Sequence, residues 1–278
     1  MWWSQCIVRL IAVGLLVAVG GCISPATCVD ESLRVSPPQS PATLPEPPVN
    51  PAALADNSAA MSSERMTSNR MTAPIFGMDL LLGQQSGIAV DAAGNLYLAD
   101  VFNHRVRKVT PDGSIATVAG DGRAQFGGDG GPATSASLRN PYGVAVDGKG
   151  NLYIADTFNY RIRMVTPDGM ISTVAGNGVL TGDSAFAANS TIGVPYAVAV
   201  DGSGTLYIAD GGSDRIYRAT PDGGLRLIGG SGRHGFDGDG GPAWNGAVNF
   251  PWGIAADSSG RVYFVDSQNN RVRVLTPR

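Results

Sequence analysis

Several residue types are scarce in this 278-residue chain, and each scarcity excludes a kind of chemistry. Glutamate is absent from Met66 to Arg278, so no mechanism in that stretch can use a catalytic glutamate. Charged residues make up 15% of the chain, the formal net charge is −3, and no basic run occurs. This charge pattern argues against a nucleic-acid partner.

Histidine is equally scarce, because His104 and His234 are the only two in the chain. A zinc site needs three or four protein ligands, and only aspartates could complete one here. No Gly-x-Ser-x-Gly motif is present, so the nucleophile turn of a serine hydrolase is missing. The sequence therefore predicts no metal and assigns no catalytic residue.

Residues 1–21 have the pattern of a signal peptide. Arg9 is the only arginine or lysine among them, and residues 10–21 are uncharged and mostly apolar. This run is too short to span a bilayer, which needs about 20 residues, but it fits the apolar region of a secretory signal. It ends in Val19-Gly20-Gly21-Cys22, which resembles a bacterial lipobox, so we expect a lipid anchor on Cys22. The alternative is an ordinary cleaved signal in which Cys22 has no role.

Residues 22–70 are expected to form a disordered tether behind the lipidated Cys22. Eight of the chain's 18 prolines lie between residues 25 and 51, and the stretch that follows is rich in serine and alanine. Cys28 is then the one cysteine left, so no disulfide framework is predicted. We therefore expect the protein to be lipid-anchored in a bacterial cell envelope, either periplasmic or surface-exposed. Ile23, which follows the cysteine, favours the outer membrane.

Residues 71–278 are expected to form one domain, because four copies of one unit fill most of it. Gly87-Ile88-Ala89-Val90-Asp91 opens the first copy, and the four corresponding aspartates are spaced 56, 54 and 56 residues apart. An Asn-Leu-Tyr-x-Ala-Asp motif, an Arg-x-Arg motif and a Thr-Pro-Asp-Gly turn follow in order. The opening motif recurs at residues 143–147, 197–201 and 253–257. Self-similarity at such a period indicates a repeat architecture.

Each unit is predicted to contain short β-strands joined by tight turns. In the opening motif Ile88 and Val90 share one face of a strand, and the small residues share the other. The Pro-Asp-Gly and Asp-x-x-Gly segments are typical of turns, and glycine is abundant, at 38 residues. A unit of four strands corresponds to one blade of a β-propeller, in which such blades are arranged around an axis, so the predicted fold class is all-β. A long solenoid is the alternative.

These motifs resemble the NHL-repeat family over residues 87–278. The Phe-Gly-Gly-Asp-Gly-Gly-Pro-Ala segment at residues 126–133 and its counterpart at 236–243 are similar to the bacterial, teneurin-like branch of that family. The resemblance implies a β-propeller, usually of five or six blades, whereas four are visible here. Outer strands are expected near residues 116–120, 171–176 and 225–230, and the fourth copy reaches Arg278 without one.

Closure of the four blades therefore needs a further element. Thr72–Gly77 aligns with Ser172–Gly176, so this N-terminal strand is predicted to complete the last blade and lock the ring, with Pro74 tolerated because the outermost strand is an edge. The alternative is an open arc that closes by dimerisation.

The candidate binding residues lie on the long loops, which the propeller fold places on one face. They are Phe102, His104, Phe126, Asp129, Tyr160, Asp183, His234, Phe236, Asp237, Asp239, Trp244 and Trp252. Trp244 and Trp252 flank the last long loop, and tryptophan is frequent at binding hot spots. The aspartates are interpreted as turn residues, with a calcium site as the alternative, and no other cofactor is predicted.

Aspartate and arginine also recur in every unit, which favours internal ties over chemistry. The aspartates are Asp100, Asp156, Asp210 and Asp266, and the arginines that open the next strand are Arg105, Arg161, Arg215 and Arg271. We expect each aspartate to pair with the arginine or with backbone groups and so to fix the connecting loop; a binding role is the alternative.

The sequence therefore predicts a membrane-tethered, extracytoplasmic propeller that acts as a non-enzymatic binding module. Its partner would be a protein or an envelope glycan held on the long-loop face. The alternative function is a small-molecule lyase or hydrolase on the same fold. A third possibility is a structural spacer with no specific ligand.

Overall fold

Fifteen β-strands form the regular structure of the described residues, which contain short 3₁₀ turns and no α-helix. The structure is a computed structural model and describes residues 87–178 and 190–277. The expected signal peptide, Cys22, the tether, the closing strand at residues 72–77 and Asp183 all lie outside these ranges. No helix in the described ranges has the length and apolar character needed to cross a membrane.

The strands form four antiparallel sheets in chain order, each sheet made of consecutive strands. Blade 1 contains β1 (Ile88–Val90), β2 (Leu96–Asp100), β3 (Arg105–Val109) and β4 (Ile115–Ala119); blade 2 contains β5 (Pro141–Val146), β6 (Leu152–Asp156), β7 (Arg161–Val165) and β8 (Ile171–Ala175); blade 3 contains β9 (Pro195–Val200), β10 (Leu206–Asp210), β11 (Arg215–Ala219) and β12 (Leu225–Gly229); and blade 4 contains β13 (Pro251–Ala256), β14 (Val262–Asp266) and β15 (Arg271–Leu275). The predicted outer strands are confirmed, and blade 4 has three described strands.

The first strand of each blade lies innermost. β1 contacts β5, β5 contacts β9 and β9 contacts β13. The approach is so close that only small residues fit on this side of the strands. A Cβ on Gly143 would stand 2.8 Å from Ala197 Cα and 2.8 Å from the Tyr196 carbonyl oxygen. This explains the glycine and alanine face predicted for the opening motif, and the all-β propeller arrangement is confirmed.

The hydrophobic core is divided among the interfaces between successive blades. Val106 of blade 1 packs with Ile154 of blade 2, and Ile162 of blade 2 packs with Ile208 of blade 3. Ile216 of blade 3 packs with Phe264 of blade 4. Each sheet therefore buries both faces only when it has a neighbour on both sides, as a propeller blade does.

The two terminal faces of the described arc have no such neighbour. Ile88 and Val90 of β1 are 63% and 60% exposed, and Val272 and Val274 of β15 are 70% and 48% exposed. β1 and β13 do not make the close contact that joins the other innermost strands of the described chain. The described blades thus form an arc whose two end faces are apolar and open.

Candidate functional site

Three of the four repeated aspartates form buried ion pairs, but with a different arginine from the one predicted. Asp156 Oδ2 lies 3.2 Å from Arg163 Nη1, and both side chains are fully buried. The corresponding pairs in blades 1 and 4 join Asp100 with Arg107 at 3.0 Å and Asp266 with Arg273 at 3.3 Å.

The partner is thus the arginine two residues beyond the predicted one. In blade 1 the strand register places Asp100 opposite Arg105, but Arg107 donates to its carboxylate. In blade 2 the predicted arginine, Arg161, instead donates to the carbonyl oxygens of Asn159 and Asn177, at 2.8 and 2.6 Å. Arg105 likewise donates to the Asp121 carbonyl oxygen at 2.8 Å. These arginines hold the long loop to the blade, so the predicted pairing of the aspartates with them is wrong. The predicted pairing with backbone groups is present: Asp156 Oδ1 accepts from Arg139 N–H and Asp266 Oδ1 accepts from Asn249 N–H, both at 2.7 Å.

Blade 3 departs from this arrangement. Tyr217 occupies the place of Arg163, so Asp210 is fully buried without a guanidinium beside it. One carboxylate oxygen accepts a hydrogen bond from Gly193 N–H at 2.5 Å, while Oδ1 has no hydrogen-bond partner in the described part of the chain. Burial raises the pKa of Asp210 above its usual value.

The predicted loop residues Phe126, Asp129, Phe236 and Asp239 are also internal ties. Asp129 Oδ1 lies 2.6 Å from Arg163 Nη2, and Asp239 Oδ1 lies 2.7 Å from Arg273 Nη2. The Phe126 ring stacks on the Arg161 guanidinium at 3.7 Å, and Phe236 repeats the contact with Arg271 at 4.1 Å. In both loops the phenylalanine and the aspartate hold arginines of the following blade, which explains why the Phe-x-x-Asp pattern is repeated.

Asp237 is similarly engaged, since it accepts from Ala247 N–H at 2.5 Å and lies 3.2 Å from Arg233 Nη2. The described ranges contain no group of three or more histidine, cysteine, aspartate or glutamate side chains that could hold a metal ion.

His104 and His234 occupy different environments. His104 is half-buried, and its Nδ1 accepts a hydrogen bond from Asn140 N–H of the next loop at 3.2 Å. Burial lowers the pKa of His104, and Arg139 and Arg105 lower it further, so the neutral imidazole can accept this bond. The histidine therefore joins blades 1 and 2.

Asp214 makes the equivalent tie between blades 3 and 4, and it also holds His234. Its Oδ1 accepts from Phe250 N–H at 2.7 Å, while its Oδ2 lies 2.5 Å from His234 Nδ1. The Asp214 side chain is buried, whereas the His234 side chain is 79% exposed. This is a solvent-facing imidazole oriented by a buried carboxylate.

Four aromatic rings meet where the innermost strands begin, and we call Tyr142, Tyr196, Phe250 and Trp252 the axial aromatic cluster. Trp252 stacks on Tyr196 at 4.3 Å between ring centroids, and Tyr142 lies 5.7 Å from Trp252. Phe250 lies 5.0 Å from Tyr196. Phe158 meets the edge of Tyr142 at 6.3 Å. All four rings are only partly buried, so the cluster presents aromatic surface on the long-loop side.

The sequence analysis identified Trp252 but missed Tyr142, Tyr196 and Phe250. A sequence pattern could have identified three of the rings, because an aromatic residue directly follows the proline that begins the first strand of blades 2, 3 and 4. The pairs are Pro141-Tyr142, Pro195-Tyr196 and Pro251-Trp252. The positions are equivalent in the repeat, so they converge near the axis. Burial raises the pKa of Tyr196, with Tyr142 and Asp210 adding to the rise, so its hydroxyl stays protonated.

The remaining predicted residues are not part of this cluster. Phe102 is 69% exposed on the loop between β2 and β3, and Tyr160 is half-buried at a left-handed backbone position, with φ of +57°. Trp244 is 52% exposed in the last long loop and lines a cleft between β12 and β15. Trp244 thus lies within the long loop before blade 4, whereas Trp252 lies in β13 of the blade.

Four antiparallel blades, stacked around innermost strands that carry an aromatic cluster, define a β-propeller. Sequence comparisons match two stretches of the repeat region. Residues 121–182 match the teneurin NHL domain, and residues 248–275 match the NHL repeat. These two stretches are therefore similar to NHL repeats.

Known relatives share this repeat region. The chain is similar to Teneurin-m of Drosophila melanogaster, with 31% identity over 66% of this chain and 8% of that protein. It is also similar to NHL repeat-containing protein 2 of Bos taurus, with 33% identity over 48% of this chain and 20% of that one. The chain thus spans between 8% and 20% of the length of these curated relatives.

Among solved structures, a protein of unknown function from Bacteroides thetaiotaomicron superposes with a TM-score of 0.55 and 19% identity, over 68% of this chain and 46% of that one. At this identity the likeness shows the fold alone.

Proposed function

We propose that this chain is a non-enzymatic binding module, and the observation that carries the proposal is the axial aromatic cluster. Its rings come from three different blades, so the fold builds a surface that no single repeat could form. Most other aromatic and acidic side chains of the long loops are engaged in ties within the blades. The rings of the cluster pack against one another and remain partly exposed to solvent. This arrangement is expected of a binding anchor.

The partner class is a protein, with an envelope glycan as the second candidate. Stacked tyrosine and tryptophan rings suit an apolar or aromatic side chain of a protein partner. The same rings offer flat apolar faces to a sugar ring, and the protonated Tyr196 hydroxyl can donate a hydrogen bond. Both partners are available to an extracytoplasmic protein.

The tether and its localisation complete the proposal. Cys22, in the Val19-Gly20-Gly21-Cys22 motif, would carry lipid and hold the propeller at a bacterial membrane through a proline-rich spacer. Metabolic labelling with an alkyne fatty acid should mark the wild-type chain and leave Cys22→Ser unlabelled. Equal labelling of both would refute anchoring at this residue.

The binding proposal is tested by capturing partners from solubilised envelope on the full chain and screening the same chain on a glycan array. Trp252→Ala should reduce the retained partner by at least about tenfold, since it removes a ring at the centre of the cluster. Trp252→Phe should retain most binding, and Phe102→Ala serves as the matched control for an exposed ring elsewhere on the loop face. Equal retention by all variants, with unchanged thermal unfolding, would contradict the proposal.

The His234–Asp214 pair supports a second candidate function, a small-molecule lyase or hydrolase. The buried Asp214 carboxylate orients Nδ1 of an exposed imidazole, which leaves Nε2 free to move a proton. The test is to screen the chain against a panel of lactones, esters and related small molecules. Turnover that His234→Gln abolishes would favour this activity. Turnover absent from the wild type, or unchanged in the variant, would remove it.

A further inference from the structure

Blade 4 has an open position on its outer side. Its third strand, β15, pairs with β14 and has no further described strand beyond it, whereas each of the other blades has a fourth. A cleft of about 630 Å³ lies between β15 and the outer strand of blade 3, β12. Ile228, Ala243 and Val248 supply apolar lining, and Trp244 stands at its margin.

Blade 2 shows the same position when it is filled. There β8 occupies the place beyond β7, and Ile171 makes two backbone hydrogen bonds with the preceding long loop: Gly130 N–H donates to its oxygen at 2.8 Å, and its N–H donates to the Gly131 oxygen at 3.0 Å. Thr173 Oγ1 donates to Asp129 Oδ2 at 2.7 Å. The Ile171 side chain is buried in the core between blades 1 and 2.

The loop before blade 4 has the same conformation without those bonds. Gly238 and Gly240 have φ of +86° and +81°, against +88° and +79° for their counterparts Gly128 and Gly130. Gly230 N–H donates to the Ala243 oxygen at 3.0 Å, as in the first loop.

The groups of this loop that would meet a fourth strand are unused among the described residues. Gly240 N–H and the Gly241 oxygen have no backbone partner, although the equivalent groups bond to Ile171 in blade 2. Asp239 bonds Arg273 through Oδ1, and its side chain is 66% exposed against 35% for Asp129. With respect to residues 87–178 and 190–277, the cleft therefore presents an unpaired strand edge, an unpaired loop donor and acceptor, and an unpaired carboxylate oxygen.

We propose that blade 4 binds an extended peptide of a partner protein as its missing fourth strand. The peptide adds to the edge of β15, in the manner of β-strand addition. Its side chains follow the chemistry of β8: an apolar β-branched residue for the pocket of Ile228, Ala243 and Val248, a threonine or serine two positions later for Asp239, and a small residue two further on, followed by glycine. This site is separate from the axial aromatic cluster and does not rest on the proposed function.

The chain's own Thr72–Gly77 segment fits this chemistry less well. With Gly77 placed on Gly176, Pro74 falls at the position of Thr173 and cannot donate to Asp239. Phe76 falls at the position of Ala175, whose side chain has no exposed surface. The open groups favour a partner strand, and occupancy by this segment becomes an outcome of the test.

The test titrates the full chain in detergent with a fluorescent peptide of the β8 sequence, Gly-Met-Ile-Ser-Thr-Val-Ala-Gly-Asn, and follows its anisotropy. We expect saturable binding that weakens about tenfold when the peptide threonine is replaced by valine or when the protein carries Asp239→Ala. Asp129→Asn, which alters the same tie in the filled position, is the matched control and should leave the peptide Kd within about twofold. Trp252→Ala should also leave it unchanged, which separates this site from the cluster.

Two results would overturn the proposal. One is absent binding, or binding that Asp239→Ala and the valine peptide do not weaken. The other is binding that appears only after residues 70–78 are deleted, because the chain's own segment would then occupy the cleft.

Discussion

At the scale of single residues, the carboxylate that ends the second strand distinguishes blade 3 from its neighbours. Asp156 is buried with the Arg163 guanidinium and the Asn159 amide bonded to it. Asp210 is equally buried, but Tyr217 replaces the arginine and one carboxylate oxygen has no partner in the described chain. A buried carboxylate without a counter-ion destabilises the fold, because its charged form loses hydration and gains no compensating charge.

This difference predicts opposite effects for the same substitution in two blades. Asp210→Asn should raise the free energy of unfolding at neutral pH by about 1 kcal/mol. Asp156→Asn should lower it by about 2 kcal/mol, because Arg163 loses one of its two carboxylate partners and keeps only Asp129. Chemical denaturation of both variants measures the contrast. A loss for Asp210→Asn as large as that for Asp156→Asn would contradict it.

The pH dependence gives an independent readout of Asp210. Burial raises its pKa, so the folded state holds the proton more tightly than the unfolded state, and the stability this confers is lost as the pH rises through the folded pKa. The advantage of Asp210→Asn over the wild type should therefore grow as the pH rises from the unfolded carboxyl pKa of about 4 through the higher folded value. A constant difference across that range would show that Asp210 does not titrate in this way.

At the scale of elements, the turn between the first and second strands is fixed by one aspartate in each blade. Asp147 accepts from Lys149 N–H at 2.9 Å, from Asn151 N–H at 2.8 Å and from the Tyr153 hydroxyl at 3.2 Å. Burial acts to raise the pKa of Asp147, but the hydrogen bonds outweigh it and hold the pKa below its ordinary value. The same residue thus sets the turn and anchors the tyrosine of the next strand.

Asp147→Ala should lower the free energy of unfolding by about 2–3 kcal/mol, because it removes several hydrogen bonds to a partly buried carboxylate. A lowered folded pKa means that this stability is present above the unfolded carboxyl pKa and is lost as the pH falls through the folded value. Denaturation between neutral and acidic pH should therefore show the variant and the wild type converging in acid. Tyr153→Phe keeps the ring and removes only one of the hydrogen bonds, so it should cost less. An equal cost would place the whole effect in the bond between the Tyr153 hydroxyl and Asp147 and would contradict the role of the turn.

At the scale of the whole molecule, the described blades form an arc with two open ends. Gly143 faces the backbone of the next blade, so an added Cβ would meet Ala197 Cα at 2.8 Å. Gly253 holds the equivalent place in blade 4, and an added Cβ would meet only the Val265 side chain, at 3.2 Å. The difference arises because nothing in the described chain packs against the far side of β13.

Gly143→Ala should consequently lower the free energy of unfolding by about 1–3 kcal/mol through overpacking, whereas Gly253→Ala should cost well under 1 kcal/mol. Thermal and chemical unfolding of the two variants measure this directly. Equal losses would mean that another element, from this chain or a second copy, packs against blade 4 as closely as blade 3 packs against blade 2.

Much of this architecture followed from the sequence because its signals are local. Aspartate and glycine set each turn within a few residues, and alternation of small and β-branched residues sets the two faces of each strand. Because the unit recurs every 54–56 residues, the interpretation of one blade applied to all four. The count of outer strands correctly predicted that the fourth repeat supplies three strands, while the predicted completion by residues 72–77 lies outside the described residues. The aspartate ties were predicted as well, although the arginine partner was misassigned by two residues, a distance at which side chains of a strand share a face.

The sites were decided only by the tertiary structure, because their members are distant in the chain. Tyr142, Tyr196 and Trp252 meet because equivalent strand positions converge on one axis, and nothing within a single repeat reveals that the rings touch. Trp244 and Trp252 are eight positions apart in sequence yet lie in different surroundings, since the chain passes from an outer loop to the innermost strand between them. Sequence thus determined what each blade is, and stacking of the blades determined which side chains meet.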